Sequence, residues 1–265
     1  MLMQLFGTSS EVAFDREYPF EHRYLTYFLR FAARLSEPFD PGRWNVDDLL
    51  AGADDRIGPL PFASEIVDRD DLGIAALAGL WSGFARAVAH RAGPGVRYYA
   101  EKSWDGIELM ISAGLRPVIV DLVRDPRDVV VSVRAFNAKR GRPGFGRADA
   151  VDDEDHLHRM VESMRKRLEW MLAPVGAERI LVRYEDLVWD LDREADRIGA
   201  FLGIRLDPVT ARAKRSEMAN HVTTETAEAS VGRWHGELAR TDVAVIEARL
   251  GEVMAAIGYG VTPAR

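Results

Sequence analysis

Val118-Ile-Val-Asp121-Leu-Val-Arg124-Asp125-Pro126-Arg127-Asp128-Val-Val-Val-Ser132 is the stretch that decides the fold class. From Pro117 to Val123 it is almost unbroken apolar sequence, the pattern of a strand buried on both faces of a parallel sheet. Asp125 suits an N-cap and Pro126 a first helical position, so the strand passes directly into a helix that runs to about Arg140. Working outward, the pattern repeats. Val96 to Ala100 is β-prone, about Asp105 to Ala113 is helical, Asp152 to Ala173 is a long helix, and the strand Arg179 to Tyr184 leads into a helix from Glu185 to Leu202. Strand and helix alternating in this way imply βαβ units: an α/β fold of three layers, α/β/α, around a central parallel sheet. Tyr18 to Leu35 and Asp71 to Arg91 read as further helices, and a last helix, about Asp242 to Ile257, is expected on the outside. Ser36 to Asp71 holds Pro38, Pro41, Pro59 and Pro61 and reads mostly as loop, with at most a short helix near Val46 to Leu50. A loop of that length suggests a binding region.

The chain has 265 residues, of which 47% are hydrophobic and 29% charged, enough for one full core, so residues 1–265 are expected to form a single domain. The net charge of −7 argues against a general nucleic-acid surface, which needs a broad excess of Lys and Arg, and leaves room only for a local anion site. Without cysteine there is no disulfide framework, thiolate nucleophile or cysteine-based zinc site, a composition that fits the cytoplasm. The most apolar stretch, Gly73 to Ala89, is interrupted by Arg86, falls short of a membrane span of ~20 apolar residues and reads as a core helix. His156 and His158 would point to nearly opposite faces of a helix, so no metal pair is expected there. Neither a Gly-x-Ser-x-Gly elbow nor a Gly-x-Gly-x-x-Gly fingerprint is present.

Chemistry begins at Arg124. An arginine at the carboxyl end of a central strand lies where open α/β sheets bind ligands, and the helix N-terminus beside it attracts anions. Ser132 lies about two turns into the helix, so its hydroxyl points to nearly the same side as Asp125, and an arginine and a hydroxyl could grip one phosphate. The competing reading pairs Arg124 with Asp121 or Asp128 and makes Ser132 a small core residue. Arg134, Lys139, Arg140, Arg142 and Arg147 form a basic run nearby, either a solvated face or a lining for an acidic nucleotide or substrate.

The segment Arg124 to Ser132 resembles the 3′-phosphate-binding motif of the sulfotransferases that use 3′-phosphoadenosine 5′-phosphosulfate (PAPS), in which Arg and Ser are likewise eight positions apart. Three further segments resemble the same family in the same order. Tyr99-Ala-Glu-Lys102-Ser103 is similar to the segment that turns a lysine to the active site. Arg179-Ile-Leu-Val-Arg-Tyr184-Glu185-Asp186-Leu187 is similar to the strand-to-helix segment whose tyrosine contacts the adenosine. Ala229-Ser230-Val231-Gly232-Arg233-Trp234-His235 is similar to the late loop that closes over the nucleotide. Each has a plainer reading: Tyr184 as a strand-end aromatic, Glu185 and Asp186 as helix-dipole acids, Trp234 as a plug onto the core.

The family's first landmark, a strand and a Gly-x-x-Arg-Ser-Gly-Thr-Thr-like phosphate loop, does not occur in these residues. What aligns begins inside the following helix, with Met1 to Gly7 as its end, and the reading frame is expected to extend upstream. Glu17 then matches the glutamate that serves as general base in related bacterial members; alone it could equally be a surface carboxylate. The resemblance implies a fold related to P-loop nucleotide kinases and transfer of a sulfuryl group from PAPS, without metal, to a small-molecule, carbohydrate or peptide acceptor. Arg124 and Ser132 would hold the 3′-phosphate, Tyr184, Gly232 and Arg233 would shape the nucleotide pocket, Glu17 would be the base and Lys102 a nearby cation. The alternatives are a non-catalytic nucleotide-binding or interaction protein of the same descent and, less well matched, a nucleotide kinase, whose Gly-x-x-x-x-Gly-Lys-Ser/Thr loop does not occur here either.

Overall fold

The computed structural model describes residues 1–38, 65–103, 106–141, 143–213 and 223–261, so the short helix expected near Val46 to Leu50 lies outside the described residues. The fold is α/β with strands alternating with helices, and among the described residues the expected central sheet is seen as two two-stranded sheets, of which the one formed by residues 12–13 and 98–99 is parallel. It resolves into two compact units, an N-terminal one of Met3–Ile119 with Val175–Glu178 and a C-terminal one of Val120–Pro174 and Arg179–Arg265 with Met1–Leu2.

In the N-terminal unit a one-turn helix α1 (Leu2–Phe6) closes at Gly7, whose amide donates to the Met3 carbonyl at 3.0 Å. Strand β1 (Val12–Ala13) pairs in parallel with β2 (Tyr98–Tyr99), Val12 opposite Tyr98 and Ala13 opposite Tyr99. Helix α2 runs Tyr24–Ser36 and α3 Arg69–Ala92. The helix expected from Tyr18 therefore starts six residues late: Pro19 and the left-handed Phe20 (φ 62°) keep the chain irregular. The true start is set from a distance, by Glu101, which accepts from the Leu25 and Thr26 amides at 2.8 and 2.7 Å and from the Thr26 hydroxyl at 2.5 Å.

Helices α2 and α3 pack closely because Gly73 has no side chain. A Cβ there would lie 2.0 Å from Ser36 Oγ and 2.8 Å from the Ala32 carbonyl. Of α3 only Gly73 and Leu77 are buried, so the core-helix expectation fails for most of its length. An 18-residue window of α3 has mean hydropathy 1.5 and is 11% buried, long and apolar enough by composition to cross a membrane. Its Trp81 and Phe84 instead meet half-exposed rings in the same unit: Phe84 lies 5.2 Å from Tyr24, 5.6 Å from Phe28 and 4.9 Å from Tyr99. The short helix α4 (Ile107–Ser112) follows.

In the C-terminal unit β3 (Val118–Val123) is hydrogen-bonded to β4 (Glu178–Arg183). Helix α5 (Pro126–Arg140) follows β3 with Asp125 as its cap, as the sequence predicts, and α6 spans Asp153–Leu172. The helix expected over Glu185 to Leu202 is two, α7 (Tyr184–Trp189) and α8 (Leu191–Leu202). Asp190 leaves helical geometry (φ −145°) and caps the second by accepting from the Arg193 amide. After α9 (Pro208–Ala213) and the single turn α10 (Trp234–Glu237) comes α11 (Arg240–Ala256). This last helix is no outer appendage, since Ile246, Leu250 and Met254 are completely buried against Val130, Val161 and Leu168.

Candidate nucleotide and acceptor residues

Arg124 follows β3 directly, and the two carboxylates that could neutralise it are engaged elsewhere. Asp121, pushed up in pKa by burial although Arg179 and Arg167 pull it down, lies 2.8 Å from Arg179 Nε. Arg179 also donates to three carbonyls at the end of α6, those of Trp170, Met171 and Ala173. Asp128, 1% exposed, accepts from the amides of Gly232 (2.6 Å) and Trp234 (3.0 Å). Arg124 itself donates to the Ser230 carbonyl, its guanidinium stands 4.8 Å from the Tyr184 ring, and its buried Nε has no partner. Among the described residues no carboxylate pairs with it. The reading that explained Arg124 as a local ion pair therefore fails.

Ser230 has no role of its own in the sequence reading of the Ala229–His235 segment, yet it ties the cluster together. Its hydroxyl is 2.9 Å from the Tyr184 hydroxyl and donates to the Ala227 carbonyl at 2.5 Å, while its own carbonyl takes Arg124. Arg124, Tyr184 and the Ser230–Trp234 loop are thus brought together. Gly232, at φ 73°, supplies the left-handed turn that aims its amide at Asp128. Arg233 turns away to form a two-pronged pair with Glu237 (2.8 and 2.9 Å) and a bond to Thr223, so its guanidinium is already committed. Ser132 is half-exposed two turns into α5, and its hydroxyl makes no hydrogen bond among the described residues.

The α5 N-terminus is not the open anion site that the sequence suggested. Asp125 accepts from the Arg127 amide at 2.9 Å, and Asp128 adds a second carboxylate in the first turn, so the helix dipole is already answered. Arg127 bridges Asp125 and Glu247 (both 2.6 Å) and lies 3.8 Å over the Trp234 ring. Trp234 is therefore held by a cation above its ring rather than acting as a simple plug. Glu185 accepts from the Asp125 amide at 2.9 Å and from the Tyr259 hydroxyl at 2.6 Å; burial and then this carboxylate push the Tyr259 pKa up. A dipole acid by its sequence position, Glu185 is a buried clasp in the fold.

The other two expected residues lie in the N-terminal unit. Lys102 donates to the Pro19 carbonyl (2.7 Å) and to Glu21 (2.8 Å) and stands 5.9 Å from the Phe20 ring. Burial raises the Glu21 pKa, but hydrogen bonds from Lys102 and Arg23 outweigh it and hold the group below its usual range. Glu17 is exposed, and its carboxylate makes no hydrogen bond or ion pair among the described residues. Glu21, not Glu17, is the carboxylate that the structure brings to Lys102. Of the basic run, Arg134 pairs with Asp242 and Arg147 with Asp153, and Arg142 lies outside the described residues.

Among solved structures, the fold is similar to the sulfotransferase domain from the curacin biosynthetic pathway. The likeness covers 98% of this chain and 94% of that one, at 13% identity and a TM-score of 0.53. It defines the class by fold: the α/β fold of a sulfotransferase domain. A match to the sulfotransferase family runs over residues 1–208, and the chain belongs to that family. No curated protein matches it.

Proposed function

We propose that the protein transfers a sulfuryl group from PAPS to a hydroxyl or amine of a small-molecule, carbohydrate or peptide acceptor in the cytoplasm. The observation that carries this reading is Arg124, with which no carboxylate pairs among the described residues. A guanidinium whose buried Nε has no partner among the described residues, and whose described neighbours are a carbonyl and a ring, is suited to an incoming anion, and a phosphate would supply both charge and acceptors. In this reading Arg124 and the hydroxyl of Ser132 hold the 3′-phosphate. Tyr184 and the backbone of Gly232 and Arg233 shape the nucleotide pocket. The donor brings an activated sulfuryl group: its sulfur–oxygen bond to the nucleotide phosphate breaks as the acceptor's oxygen or nitrogen bonds to sulfur. Glu17 accepts the acceptor's proton, and Lys102 contributes positive charge to the oxygens involved.

Calorimetry comparing 3′-phosphoadenosine 5′-phosphate with adenosine 5′-phosphate tests the assignment. The wild type should prefer the former, and Arg124→Ala should weaken it roughly ten- to a hundredfold, the loss of one charge-assisted contact. Equal affinity for the two nucleotides rejects the reading. Binding without transfer to any of a panel of alcohols, sugars and tyrosine peptides selects the non-catalytic alternative.

A further inference from the structure

Nothing in the proposed chemistry requires Asp128, yet it is among the least exposed ionisable side chains described, at 1%. Charged carboxylates are rarely buried this deeply unless they are paired with a cation or fully hydrogen-bonded. Asp128 has no cationic partner among the described ion pairs. Its two oxygens are taken one each by the Gly232 and Trp234 amides, at 2.6 and 3.0 Å. Those amides flank Arg233 and belong to the loop that also presents the Ser230 carbonyl to Arg124.

We infer that Asp128 is a positioning residue that sets the register of the Ser230–Trp234 loop and thereby the affinity for the 3′-phosphorylated nucleotide, an inference that rests on the function proposed above. The geometry is demanding. Two backbone donors separated by one residue converge on one carboxylate, which needs Gly232 at φ 73° to turn the first of them inward. Asparagine has nearly the same shape but offers one acceptor oxygen, and its amino group would face the second donor. Asp128→Asn therefore releases one anchor of the loop while leaving the volume of the site unchanged. Arg127, which lies over the Trp234 ring, holds the loop by a different contact and keeps it from unravelling altogether.

The test uses the full-length chain. In the wild type, amide hydrogen exchange followed by NMR should show the Gly232 and Trp234 amides protected at least about a hundredfold over an unstructured peptide, because each is in a charge-assisted bond. In Asp128→Asn, exchange in the peptide covering 228–237 should rise roughly tenfold while α6 and α11 keep their protection, a pattern that general destabilisation would not give. Affinity for 3′-phosphoadenosine 5′-phosphate should fall about ten- to thirtyfold, and affinity for adenosine 5′-phosphate much less. Unprotected Gly232 and Trp234 amides in the wild type overturn the inference even if the variant does not fold. So does a looser loop with unchanged nucleotide affinity. A wild type that binds neither nucleotide sinks the functional reading instead, and the exchange data then still decide whether Asp128 holds the loop.

Discussion

The two units hold their proposed functional residues by opposite means. Around Arg124, the anchors are Asp125, Asp128 and Glu185, each less than a tenth exposed and each bonded to a backbone amide of a neighbouring turn. Around Lys102, the anchors are Glu21, with a side chain 41% exposed, and the Pro19 carbonyl in an irregular loop. Buried carboxylates held by backbone amides favour one arrangement, whereas exposed pairs contribute little and rearrange at small cost. Under the roles proposed above, the residues assigned to the nucleotide have a more deeply buried frame than those assigned to the acceptor.

The largest effect that could break this comparison is on turnover. With the expected upstream phosphate loop present in the protein, Glu17→Gln should lower single-turnover transfer from radiolabelled PAPS about 10²–10⁴-fold, the range for a lost general base, with nucleotide affinity little changed. Near-wild-type transfer would remove Glu17 from the mechanism and leave Glu21 or His22 to be tested. The next effect is on stability. Glu185→Ala strips the buried acceptor from the Asp125 amide and the Tyr259 hydroxyl and should cost about 2–4 kcal/mol in urea unfolding. By contrast, Lys102→Met removes an exposed pair and should cost less than about 1 kcal/mol, with even less difference at high salt. Similar losses for the two would erase the distinction between the units.

The strand-to-helix stretch 118–132 was legible because its signals are local: an apolar run, then Asp125 and Pro126 at the positions where their chemistry caps a helix. The same holds for Arg124, whose place at the end of a strand is read directly from the pattern. What could not be read depends on contacts across long separations. The start of α2 is set by Glu101, 75 residues beyond Thr26, and the role of Asp128 by amides 104 and 106 residues further on. One signal was present and passed over. Ile246, Leu250 and Met254 recur every fourth residue, the spacing of a single buried helix stripe, and mark α11 as a core helix. The break at Asp190 was also visible as an Asp preceding Leu191, but a cap inside a helical pattern is indistinguishable by composition from a surface acid.

Glu185 joins three places in the chain, and the order in which a ribosome delivers them matters. Its partner at Asp125 is made 60 residues earlier, but its partner at Tyr259 comes 74 residues later. At about 5–20 residues per second, roughly 4–15 s pass between the synthesis of Glu185 and that of Tyr259, during which one oxygen of this carboxylate lacks its tyrosine partner. Asp128 likewise waits for residues 232 and 234. The nascent chain can therefore form β3, α5 and β4 well before the turn beside Arg124 is finished. The last part of the C-terminal unit to emerge completes the side-chain cluster that began at Arg124, and a polypeptide cut short before Tyr259 would carry Arg124 without the clasp behind it.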